Sequence, residues 1–127
     1  MIARLVSLPG RRILDIGCGI GMYTTAFAEL TTHVFGVEVE FERACAAGSR
    51  TSGIAQGVGE ALPYSNDVFD VVFSHEVLEH VADDRACLEE MVRVTRPGGH
   101  LIIFVPNRLY AFETHGIYWR GRYRFGN

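Results

Sequence analysis

The stretch Ile13-Leu14-Asp15-Ile16-Gly17-Cys18-Gly19-Ile20-Gly21 constrains the fold more than any other part of the chain. An apolar, β-type run enters three glycines at alternating positions, and a helix-compatible segment follows from about Met22 to Leu30. Glycine at such a turn permits positive φ and close approach of a ligand to the backbone. The expectation is that exposed N–H groups of the turn, with a helix N-terminus behind them, hold an anionic group such as a carboxylate. A dinucleotide-binding turn has the spacing Gly-x-Gly-x-x-Gly. Here the third glycine comes one residue early and Met22 takes its place, while Asp15 precedes the first glycine by two. No Lys-Ser/Thr pair follows, which excludes a nucleotide-triphosphate loop.

Short apolar runs alternate with helical stretches over the rest of the chain, the pattern of an α/β fold with a mostly parallel sheet. Strands are expected at Arg12 to Ile16, Val34 to Val37, Ile54 to Val58, Phe69 to Phe73 and Leu101 to Val105. Helices are expected after the glycine turn, over Phe41 to Ala47 with Gly48 as its end, and from an Asp83 or Asp84 cap to about Thr95. Pro97-Gly98-Gly99 turns the chain into the fifth strand. After Val105 only 22 residues remain, aromatic and basic without a clear period, and none reads as a sixth or seventh strand.

The 127 residues make one domain, 1–127. With 48% apolar and 21% charged residues the composition is globular. A net charge of −3 gives no broad attraction to nucleic acid. Three cysteines without a Cys-x-x-Cys spacing argue against a disulfide scaffold or a thiolate zinc site. No run is long enough to span a bilayer, and Met1 to Gly10 lacks the pattern of a signal peptide, so a cytoplasmic location is expected.

The glycine turn and the ordered segments behind it resemble the class I S-adenosylmethionine (SAM)-dependent methyltransferases. The subgroup most similar is the broad small-molecule one that includes ubiquinone-biosynthesis O-methyltransferases. Residues Ile13 to Gly21 match the family's first motif. Phe35-Gly36-Val37-Glu38 resembles the end of its second strand, where the family places an acidic residue for the ribose hydroxyls. Glu60-Ala61-Leu62-Pro63-Tyr64, Phe69-Asp70-Val71-Val72, Glu76-Val77-Leu78-Glu79-His80 and Arg93 to Gly99 follow in family order, so that the resemblance covers roughly residues 11 to 107.

The resemblance implies a doubly wound Rossmann-like sheet of order 3-2-1-4-5, truncated at the C-terminal strands. It implies SAM as cofactor, held by Asp15, Gly17, Cys18, Gly19, Gly21, Glu38, Gly59, Glu60, Ala61 and His75. Val58-Gly59 stands where the family often has an Asp for the adenine amine. Asp15 is expected to fix the glycine loop or to reach the cofactor's amino group, and Cys18 to be a small buried residue. The implied reaction is methyl transfer to a small-molecule acceptor, with oxygen favoured by the subgroup.

His115 and His75 are the candidate bases. Trp119 and Tyr123 are candidates to stack on a substrate. Glu76, Glu79 and His80 stand at i, i+3 and i+4, so one helical face would display all three. Small-RNA methyltransferases that act on the ribose hydroxyl look similar here and bind magnesium through such a set with a further histidine, for which His115 is the counterpart. A site without metal is nevertheless the expectation. An uncovered fifth strand would leave an open sheet edge and favour self-association. Two other readings remain open: a SAM-binding domain without turnover, and an NAD-dependent oxidoreductase.

Overall fold

A computed structural model describes the backbone of residues 6–106, 113–119 and 122–126, and the side chains of residues 6–105. Seven strands form one sheet in the order β3-β2-β1-β4-β5-β6-β7. They are β1 (Ile13–Ile16), β2 (Val34–Glu38), β3 (Ile54–Gln56), β4 (Phe69–His75), β5 (Thr95–Pro106), β6 (Glu113–Trp119) and β7 (Arg122–Gly126). The first five are parallel, and β6 and β7 are antiparallel. Three helices are described: α1 (Met22–Ala28), α2 (Phe41–Arg50) and α3 (Asp84–Val94).

The central strands are apolar on both faces because both faces are covered. On one, Ile13, Val71, Phe73, Ile102 and Phe104 pack with Phe27 of α1. On the other, Leu14, Ile16, Val72, Leu101 and Ile103 pack with Cys87, Met91 and Val94 of α3. Asp83 caps α3 by accepting from the Ala86 N–H at 3.0 Å, one of the two caps the sequence offers. Arg93 and Glu90 of α3 pair with each other and reach the segment before β4. The Arg93 guanidinium donates to the carbonyls of Tyr64 and Leu62 at 2.8 and 3.2 Å, and Glu90 accepts from the Leu62 N–H at 2.9 Å. This fixes the Leu62–Asn66 loop, which connects β3 to β4.

Several expectations are corrected. The 22 residues after Val105 carry two strands: β6 pairs with β5 from Leu101↔Tyr118 to Pro106↔Glu113, and β7 pairs with β6. The expectation that no strand follows Val105 is therefore corrected: an antiparallel pair extends the sheet beyond β5. β5 is covered by β6, and the outer strand on that side of the sheet is β7. Gly48 does not end α2, which continues to Arg50. Pro97-Gly98-Gly99 lies within β5, at an irregularity where the pairing moves from Phe69↔Thr95 to Val71↔His100. Gly98 takes φ 82° there.

Among the described residues, no helix is long and apolar enough to cross a membrane.

Candidate cofactor and active site

The three glycines of the turn all take positive φ: 68° at Gly17, 57° at Gly19 and 91° at Gly21. A Cβ at Gly17 would lie 2.4 Å from Cγ2 of Val77, so the segment after β4 seals against the turn only because Gly17 has no side chain. Gly21 caps α1, and a Cβ there would meet Ala47 of α2 at 3.2 Å. The N–H groups of the turn are used internally. Those of Gly17 and Cys18 donate to the Val37 carbonyl at 2.8 and 3.0 Å. That of Gly21 donates to the Cys18 carbonyl at 2.9 Å, and that of Gly19 to Oε2 of Glu38 at 2.8 Å. The expected anion cradle of free N–H groups is thus not what these four provide. The turn instead offers a bare backbone surface beside a fixed carboxylate.

Glu38 is 5% exposed and accepts a second bond, from the Glu40 N–H at 3.1 Å. Two N–H donors hold both carboxylate oxygens in place and leave lone pairs for a ligand. Asp15 is buried on the α1 side of β1, where Oδ2 accepts from the Thr24 hydroxyl at 2.8 Å. Burial pushes its carboxyl up to about 7; the Thr24 bond opposes this and the nearby Glu38 charge adds to it. Asp15 ties β1 to α1 and is not among the residues that line the cleft. The Cys18 thiol is buried and pushed up to about 12, chiefly by desolvation.

A cleft of about 660 Å³ opens at the carboxyl ends of β1, β2 and β4. This is where open α/β sheets bind ligands, and the volume falls within the roughly 300–1,000 Å³ of cofactor pockets. Of the sequence-predicted residues, Gly17, Gly19, Glu38, Gly59, Glu60 and His75 line it. Cys18, Gly21 and Ala61 do not: the first two support the turn from behind, and Ala61 bridges to Val58. Gly59 is required by packing, because a Cβ would come 2.6 Å from Sγ of Cys87. Arg43, Val39 and Glu40 line the cleft and were not singled out by the sequence.

The segment after β4 is not a helix. Glu76 has φ 55°, its N–H donates to the Phe104 carbonyl at 2.8 Å, and α3 begins only at Asp84. The helical face expected to carry Glu76, Glu79 and His80 therefore does not exist. Glu76 and His80 line the cleft, whereas Glu79 does not. No three metal-ligating side chains cluster among the described residues. The side chain of His115, the fourth member of that set, lies outside the described residues, as do those of Trp119 and Tyr123.

His75 is half-buried and packed by rings, with centroids 5.1 Å from Tyr23 and 5.7 Å from Phe104. In the sheet, His75 pairs with Phe104 and Phe104 with His115, so the two candidate bases occupy one row across β4, β5 and β6. That juxtaposition was invisible without β6.

A non-glycine residue at positive φ stores strain of about 1 kcal/mol or more. Replacement of Glu76 by glycine is expected to raise the unfolding free energy by up to about 1 kcal/mol, part of the relief being offset by a looser unfolded chain. A denaturant titration checks this; a fall in the midpoint would show that the Glu76 side chain supports the fold.

Sheet order, glycine turn, buried carboxylate and cleft together define a doubly wound α/β domain with a cleft at the carboxyl ends of its strands. The chain belongs to the methyltransferase domain family, whose model matches residues 14–103. It is 37% identical over 119 residues to an uncharacterized methyltransferase of Mycobacterium marinum, covering 91% of this chain and 47% of the relative. A Mycobacterium tuberculosis methyltransferase, also uncharacterized, is 37% identical over 110 residues, covering 84% of this chain and 43% of the relative. The chain thus spans about half the length of the curated relatives it matches.

Among solved structures, a SAM-dependent methyltransferase from Thermotoga maritima, described as a possible histamine N-methyltransferase, superposes with a TM-score of 0.73 at 28% identity. The superposition covers 84% of this chain and 50% of that one. A SAM-dependent methyltransferase from Mesorhizobium loti has a TM-score of 0.77 at 24% identity, covering 98% and 60%, and speaks to the fold alone. The fold is that of the class I SAM-dependent methyltransferases.

Proposed function

We propose that this domain binds SAM in the cleft above β1, β2 and β4 and directs its methyl group to a small-molecule acceptor, with oxygen as the preferred acceptor atom. The observation that carries the reading is Glu38: a buried carboxylate, held by two backbone N–H groups, at the edge of a cleft floored by Gly17 and Gly19. Two carboxylate oxygens suit a vicinal diol, and the bare turn admits close contact with the rest of a nucleoside. Gly59 and Glu60 form the wall expected to face the adenine ring.

SAM, when bound, supplies an electrophilic sulfonium methyl. The chain supplies proximity, orientation and exclusion of water. Val77 closes against Gly17 to fix the floor. For a hydroxyl acceptor, His75 in the cleft wall takes the departing proton, and His115, two strands away in the same row, is the second candidate base. The cleft needs no metal in this scheme.

Nitrogen is the alternative acceptor atom, favoured by the likeness to the Thermotoga protein. Incubation with methyl-labelled SAM and separate panels of hydroxyl and amine acceptors tests the reaction. Label is expected in the hydroxyl panel and to be lost in His75→Ala. Transfer only to amines, with no effect of His75→Ala, would overturn the oxygen assignment. SAM binding without transfer to any acceptor would favour a binding domain without turnover.

A further inference from the structure

Arg43 stands in the first turn of α2 and lines the same cleft as Glu38. A Cβ placed on Gly19 would lie 4.0 Å from Nη2 of Arg43, so the guanidinium overhangs the glycine turn at the Glu38 end. It is exposed, and among the described residues no hydrogen bond or ion pair engages it. Arg85, Arg93 and Arg96, by contrast, each pair with a carboxylate.

Glu38 can only accept. A vicinal diol seated on it donates both protons and is left with acceptor lone pairs that also need partners. The neighbouring backbone donors are consumed: Gly19 N–H by Glu38, and Gly57 N–H by the Glu38 carbonyl. Arg43 is the donor-only group at that end of the cleft, with five N–H bonds on a planar fork.

We propose that Arg43 is a binding residue for the ribose of the cofactor, donating to the hydroxyl oxygens whose protons Glu38 accepts. The proposal rests on the SAM reading above. Its consequence is that the contact belongs to the adenosine half of the ligand, not to the methionine carboxylate that a free arginine would otherwise be assigned to.

The test is calorimetric binding of S-adenosylhomocysteine and of 5′-methylthioadenosine, which lacks the amino-acid end, to the full chain and to Arg43→Met. Methionine keeps the apolar stem over Gly19 and removes the donors, and the melting temperature is expected to be unchanged. Loss of a charge-assisted bond predicts affinity about tenfold weaker for both ligands. A loss confined to S-adenosylhomocysteine would place Arg43 on the carboxylate and overturn the proposal, as would unchanged affinity for both. Failure of the unaltered chain to bind either ligand would overturn the SAM reading itself, and this proposal with it.

Discussion

Replacing Asp15 with asparagine is expected to raise the unfolding free energy at pH 8 by as much as about 4 kcal/mol and to flatten the pH dependence of stability. The carboxyl ionises at its ordinary 3.8 in the unfolded chain but is held up to about 7 in the fold, by burial first and by the Glu38 charge in addition. Between those values the native state binds more protons than the unfolded one, so stability falls as pH rises from about 4 to 7. The difference of about 3 in pKa corresponds to about 4 kcal/mol, fully developed by pH 8. Asparagine keeps an oxygen to accept from the Thr24 hydroxyl and carries no charge to desolvate. Urea titrations at pH 5 and pH 8 decide it: the gain should be large at pH 8 and small at pH 5. Equal effects at both values would show that Asp15 is ionised throughout.

The second large effect is expected at Gly17. Its φ of 68° costs an L-residue about 1–2 kcal/mol, and the added methyl would sit 2.4 Å from Val77 Cγ2, adding an overpacking cost of about 1–3 kcal/mol. Gly17→Ala should therefore destabilise by about 3 kcal/mol and weaken cofactor binding, because Val77 moves off the turn. In a Val77→Ala background the same substitution should cost about 1–2 kcal/mol less, a coupling that a double-mutant cycle reads directly. A coupling near zero would show that the Val77 contact does not constrain the turn.

The contrast between these two residues shows where the sequence was informative. Gly17, Gly19 and Gly21 could be located because their need for positive φ is local, and the cap of α3 could be narrowed to Asp83 or Asp84 because capping is local too. Glu38 was singled out by the resemblance of Phe35-Gly36-Val37-Glu38 to the end of the family's second strand, and it does end β2. Properties that depend on distant partners could not be read in this way. The N–H groups of the turn looked free, yet the Val37 carbonyl and the Glu38 carboxylate, some 20 positions on, take three of them.

Glu76 to His80 has helical spacing, but the bond from Glu76 N–H to the Phe104 carbonyl and a positive φ turn the chain instead. β6 contains Gly116 and polar residues without apolar alternation, and its strand state comes from pairing with β5. Arg43 could have been found: Ala44 and Ala47 mark the buried stripe of α2, and Arg43 lies one turn before Ala47, the residue that meets Gly21. The missing information was the phase of that helix against the turn.

Glu38 is proposed to hold the adenosyl group of SAM in the cleft. The most direct test is thermal shift and calorimetry of the chain with SAM and with NAD, repeated in Glu38→Ala. SAM is expected to bind and raise the melting temperature, NAD to do neither, and Glu38→Ala to lose the SAM response. Stabilisation by NAD without SAM binding, or undiminished SAM affinity in Glu38→Ala, would contradict it.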